Sequence, residues 1–168
     1  MSRLSLPLLL LLAACAAPPQ RPSPAPVPVP QRINAPDVPV LTGVPHAVRI
    51  GLTVFVSGMV PVDAAGRVVG ETVESQVRQA MTNFLAVITA ARGVPGDIIQ
   101  MTAYVRDLTP EAAESVRATI LEMGDATAPL ALTIVGVDAL AEPAMRVMLV
   151  GTAQLRSEFP DRTRIPQR

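Results

Sequence analysis

Two stretches of the chain, "LTVFVS" at 52–57 and "RVMLVGTA" at 146–153, carry apolar side chains at both parities of an extended backbone. A strand sends successive side chains to opposite faces, so a sheet wetted on one side should alternate apolar with polar. These strands ask for cover on both faces. The rest of the chain supplies two helices, enough for one face, and the simplest cover for the other is a second copy of the same chain. The pattern therefore predicts a homo-oligomer.

The elements follow from periodicity and punctuation. "AVRIGLTVFVSGMVPV", from Ala47, is rich in β-branched residues and broken by Gly51 and Gly58, which predicts two strands. "DAAGR" at 63–67 reads as a hairpin loop with glycine where a positive φ is wanted, and "VVG" returns. From Thr72 to Arg92 the apolar residues Val73, Val77, Ala80, Met81, Phe84, Leu85, Ile88 and Ala91 fall at three- and four-residue spacings. That spacing predicts an amphipathic helix with Thr72 as N-cap and Gly93 just past its end. "DIIQMTAYVR" at 97–106 is a further strand, and Thr109-Pro110-Glu111 opens a second helix that Gly124 closes. Glu71, Glu74, Glu111 and Glu114 sit where negative charge favours a helix N-terminus. Two last strands cover about 131–138 and 145–155, giving the order ββ(β)αβαββ. The expected class is α+β, a single-layer sheet with two helices.

Composition narrows function by exclusion. The 168 residues, 49% hydrophobic, suffice for one well-filled domain. Zero formal net charge and 2% aromatics leave neither a basic field for phosphates nor rings for stacking bases, so nucleic acid is not an expected partner. No lysine occurs, which removes Schiff-base chemistry. His46 and Cys15 are the sole histidine and cysteine, so neither a metal cluster nor a metal cofactor is expected.

The N-terminal segment reads as an address followed by a spacer. "MSRLSLPLLLLLAAC" has one positive charge at Arg3 and an apolar run from Leu4 to Ala14, the layout of an export signal. Leu12-Ala13-Ala14-Cys15 resembles the lipobox of bacterial lipoproteins, which implies lipidation of Cys15 and anchoring in the cell envelope. Ala16 after the cysteine points to the outer membrane, facing the periplasm. Ordinary signal cleavage with an incidental Cys15 is the alternative. "APPQRPSPAPVPVPQR" at 17–32 favours polyproline II and would span roughly 50 Å as an exposed stalk, with a proline-recognition ligand as the other reading. The expected layout is a signal peptide at 1–14, a proline-rich tether at 15–32, a folded domain at 33–156 and a solvated tail at 157–168.

Five segments together carry a specific resemblance: "INAPDVP" at 33–39, "HAVRIGLTVFVSGMVPVD" at 46–63, "ESQVRQAMTNFLAVITAARG" at 74–93, "DIIQMTAYVRDL" at 97–108 and "VGVDAL" at 135–140. In order and spacing they resemble the RidA family, also called YjgF or reactive-intermediate deaminases. The resemblance implies a chorismate-mutase-like fold and a homotrimer with ligand clefts between subunits. It also implies hydrolysis of reactive enamines and imines to keto acids and ammonia, without a cofactor.

The resemblance places the family's site position by position. Counted back from "VGVDAL", the arginine that fixes the substrate carboxylate falls on Leu132, and the cleft position two residues on falls on Ile134. The glutamate that positions water falls on Val150, and the aromatic hydroxyl near Val44. "SGMVP", with Ser57 and Gly58, is retained. Val44, Ser57, Gly58, Leu132, Ile134 and Val150 are thus the expected cleft lining, with no catalytic residue assigned among them. An aliphatic lining cannot neutralise a carboxylate. Arg146 shares the strand parity of Val150, but four residues separate them, roughly 13 Å along a strand. A triad of Ser57, His46 and Asp63 lacks the Gly-x-Ser-x-Gly elbow, and Ser57 reads better as a strand-end serine bonding backbone.

Three readings stay open. The first is a membrane-tethered, non-catalytic RidA-like trimer that binds a small, largely apolar ligand or acts as scaffold. The second is a deaminase with an altered, neutral substrate. The third is a periplasmic protein-interaction module.

Overall fold

The computed structural model describes residues 27–40 and 43–156. The signal segment with Cys15, most of the proline-rich spacer and the tail at 157–168 lie outside the described residues. The elements in chain order are β1 (Gln31–Ile33), β2 (Ala47–Ile50), β3 (Thr53–Met59), α1 (Val73–Ala90), β4 (Ile98–Arg106), α2 (Pro110–Met123), β5 (Ala131–Val137) and β6 (Val147–Gln154). One six-stranded sheet runs β1-β2-β3-β6-β4-β5, antiparallel except for the β4–β5 pair, which α2 connects. Two helices on a mixed sheet agree with the expected α+β class.

Sequence and structure differ at three places. β1 begins at Gln31, two residues inside the stretch read as spacer, because Gln31–Ile33 pair with Ala47–Arg49. The bracketed third strand is reduced to a bridge between Val62 and Val68 across the Asp63–Arg67 loop, where Gly66 has φ +78°. The left-handed residue after α1 is Arg92 (φ 67°), not Gly93. Gly93 is instead a close-approach position, since a Cβ there would lie 2.8 Å from Leu155 Cδ2.

The caps form as the sequence dictates. Thr72 Oγ1 accepts from the Ser75 amide at 3.1 Å while Ser75 Oγ accepts from the Thr72 amide, a reciprocal box. Thr109 Oγ1 accepts from the Ala112 amide ahead of α2. Arg78 joins the helices, with Nε 3.3 Å from Glu74 and Nη2 2.7 Å from Glu122.

Strand parity fixes where the core sits. Val54, Val56, Met101, Ala103, Val105, Val147, Leu149 and Ala153 pack with Val77, Met81, Phe84 and Ile88 of α1 and Val116 and Ile120 of α2. Both helices therefore serve one face of the sheet. The opposite face bears Phe55, 50% exposed, and Ile50, 39% exposed.

Candidate functional site

The face away from the helices can be assembled strand by strand from the register. On β6 the residues between the buried Val147, Leu149, Gly151 and Ala153 are Met148, Val150 and Thr152. β4 places Gln100, Thr102 and Tyr104 beside Thr152, Val150 and Met148. β5 places Ala131, Thr133 and Val135 beside Gln100, Thr102 and Tyr104. On β3 the register shifts between Val56, which pairs with Gly151, and Met59, which pairs with Leu149. Ser57 and Gly58 thus stand together opposite Val150, a bulge of the kind that re-aims groups beside binding sites. The central row of the open face reads Ser57–Gly58, Val150, Thr102, Thr133, and spans about 14 Å across four strands.

Several contacts define its chemistry. The Ser57 amide donates to the His46 carbonyl at 2.8 Å, which ties the bulge to β2. A Cβ on Gly58 would lie 2.6 Å from Met148 Sδ, so the thioether packs over the bulge and would have to swing aside for any larger residue there. Gln100 Nε2 donates to Thr102 Oγ1 at 3.0 Å, which leaves the threonine's own proton available to donate. Arg106, at the end of β4, is committed to Asp107 at 3.3 Å and to the Pro143 carbonyl.

The expected lining residues divide between the two faces. Ser57, Gly58 and Val150 meet at the bulge. Leu132 and Ile134 do not join them: they pair with Met101 and Ala103 and pack against the core beneath the helices. The cause is parity, since one residue of slip along a strand turns every side chain to the other face. Ala131, Thr133 and Val135 are the β5 residues on the open face, and none of them is a cation. Val44 is 49% exposed in the loop entering β2. Arg146 stays away from Val150, its Nη2 4.0 Å from Asp107 and its main chain bonded to Gln76 and Arg106.

The triad does not assemble. His46 is 4% exposed with both ring nitrogens engaged: the Ala35 amide donates to Nδ1 at 3.1 Å, and Nε2 lies 2.9 Å from the Pro39 carbonyl. That pairing requires the Nε2–H tautomer and makes His46 the clasp of the 34–39 loop. Asp63 accepts from the Ala65 and Arg67 amides and from the Arg67 guanidinium. The Arg67 backbone N–H, and then its side chain, hold this carboxyl below its ordinary range. Among the described residues no group of three or more His, Cys, Asp or Glu could hold a metal ion, and no helix is long and apolar enough to cross a membrane. A cavity of about 330 Å³ opens elsewhere, between β1 and the end of α1, where Arg49 is already bonded to the Gly51 and Ala91 carbonyls.

Two features escaped sequence reasoning. One is the hydroxyl set Thr102, Tyr104 and Thr133, which the polar parity of "QMTAYVR" on β4 could have revealed. The other is a polar seam on α1. Asn83 Nδ2 donates to the Val60 and Val62 carbonyls, both at 2.9 Å, and so holds the strand end that follows the bulge.

The sequence model of the family described as Endoribonuclease L-PSP matches residues 37–155. The chain belongs to this family, the RidA/YjgF family. A 2-iminobutanoate/2-iminopropanoate deaminase of Salmonella typhimurium is 39% identical over 74 residues, 44% of this chain and 56% of that protein. A RutC family protein of Haemophilus influenzae is 37% identical over 68 residues, 40% of this chain and 52% of that one. The chain spans about half the length of the curated relatives it matches. Among solved structures, RidA from an Antarctic Psychrobacter superposes with a TM-score of 0.66 at 24% identity, covering 74% of this chain and 99% of that one. The Rid-family protein YyfB from Yersinia pestis gives 0.60 at 28% identity, covering 75% and 98%. The RidA fold expected from the five segments is thus present, and homologues of the chain carry the name of imine deaminases.

Proposed function

We propose that this RidA-family chain forms a homotrimer, held at the cell envelope through Cys15, that binds a small molecule on its open sheet face without hydrolysing amino-acid-derived imines. One observation carries the reading: the central rows, from Ser57–Gly58 through Met148, Val150, Thr102 and Tyr104 to Thr133 and Val135, contain no carboxylate, histidine, lysine or arginine. A carboxylate substrate placed there loses hydration with no cation to replace it. A water placed beside Val150 meets no base. The hydroxyls of Thr102 and Tyr104 favour one second reading, hydrolysis of a neutral imine by a water held between them. Purified chain supplied with freshly generated 2-iminobutanoate is expected to release ammonia no faster than the spontaneous reaction. Turnover at the rate of the Salmonella deaminase, assayed in parallel, would sink the non-hydrolytic reading.

The half-exposed apolar groups on the open face, Phe55, Ile50 and Val135, support the trimer. Light scattering of the eluting protein is expected to give three times the chain mass, and a monomer would refute the assembly. The lipobox-like run supports the anchor. Cys15→Ala is expected to move the protein from the membrane to the soluble fraction; unchanged fractionation would rule lipidation out as the tether.

A further inference from the structure

Across β4 and β5 the central rows of the open face are polar without being charged, and their hydroxyls stand on the far side of Val150 from the bulge. Thr102 and Thr133 are neighbours across β4 and β5, with Tyr104 one row along. Gln100 fixes the Thr102 oxygen as an acceptor, so the free proton of that hydroxyl is the one a ligand meets. Val150 and the Met148 thioether, seated over Gly58, make an apolar wall on the other side. Arg106 and Arg146 stand at one end of the face, four residues from Thr102 and Val150 respectively, about 13 Å along the strands; Arg106 is bonded to Asp107 and Pro143, and Arg146 Nη2 lies 4.0 Å from Asp107.

Hydroxyl donors can satisfy the lone pairs of a carbonyl at little cost, because a neutral acceptor leaves water cheaply. The same donors under-compensate a carboxylate, whose desolvation is far more costly. A short aliphatic body would lie against Met148 and Val150. We propose that the row takes an uncharged small molecule of this design, an amide or ketone carbonyl on a short apolar chain, and rejects its carboxylate counterpart, with Thr133 as the position that sets the preference. The proposal rests on the reading of the open face as a ligand site, and it names the class of ligand.

A matched pair of probes tests it: 2-oxobutanamide and 2-oxobutanoate, equal in shape and different in charge, titrated calorimetrically into the full chain. The amide is expected to bind about tenfold tighter, a difference of about 1.4 kcal/mol. Thr133→Arg is expected to reverse the order, because a guanidinium on this face pairs with the anion. Thr133→Val, which keeps shape and removes the hydroxyl, is expected to weaken the amide about fivefold. The assembly state of each variant is checked beside the titration. Equal affinities, or an order that Thr133→Arg leaves unchanged, overturn the proposal. Binding of neither probe, with no ammonia released from 2-iminobutanoate, overturns the proposed ligand class and leaves the non-hydrolytic reading standing. Ammonia released from the imine of 2-oxobutanamide alone does the reverse.

Discussion

Gln76→Leu is expected to destabilise the protein by about 3 kcal/mol, although leucine is of similar size and more apolar. Gln76 is 1% exposed on the sheet side of α1. Its Nε2 donates to the Gly70 and Ala144 carbonyls, each at 2.9 Å, and its Oε1 accepts from the Arg146 amide at 2.7 Å. One side chain therefore holds the loop before α1 and the loop before β6 to each other. Leucine leaves three main-chain groups without that partner, and its added hydrophobic gain is small because the site is already buried. Urea unfolding at fixed protein concentration measures the loss, since association adds to apparent stability. A variant within about 1 kcal/mol of the parent would show that these loops are held by other contacts.

Gln76 belongs to a set of polar residues that explains why the fold was so legible. The segments that carry the family resemblance are those that fasten the chain to itself. His46 clasps 34–39, Arg49 reaches the end of α1, and Gln76 and Asn83 hold the loops after β3, before α1 and before β6. Helix α1 was readable from its apolar spacing and its threonine cap because both are local. The order β3-β6-β4-β5 and the trace of β1 depend on pairings between distant segments, which no local pattern encodes.

The site was less legible for a reason specific to β5. "ALTIVGV" is apolar in either phase, so the strand alone does not say which of Leu132 and Thr133 faces the core. Its neighbour does: Gln100, Thr102, Tyr104 and Arg106 form one polar phase in β4, and the parallel register carries that phase onto Ala131, Thr133 and Val135. The expectation that both sheet faces are apolar holds for β3, through Phe55, and for β6, through Met148 and Val150. It fails for β4. Neither phase of β5 contains an ionisable group, so whichever phase faces the cleft, the strand brings no cation to it.

Gly151→Ala is expected to cost about 3 kcal/mol, as much as many core truncations, by adding a single methyl group. Gly151 lies in β6 between β3 and β4, paired with Val56 on one side and Met101 on the other. A Cβ there would stand 2.5 Å from the Gln100 carbonyl oxygen and 2.9 Å from Phe84 Cζ. The first is main chain locked in a central ladder, and the second belongs to the largest fully buried side chain. Neither can retreat alone: moving Gln100 opens the β4–β6 pairing, and moving Phe84 displaces α1. The usual gain from replacing a strand glycine, a fraction of a kcal/mol in chain entropy, works in the opposite direction and is too small to offset the clash. Gly66→Ala is the matched control. Its φ of +78° strains an alanine, but nothing lies within 4 Å of the added carbon, so its cost should stay near 1 kcal/mol. Gly151→Ala no more destabilising than Gly66→Ala would mean that α1 does not press on the centre of the sheet as described. The open face would then lose its reference, because the row at Val150 is placed by the same register that brings Gly151 under Phe84.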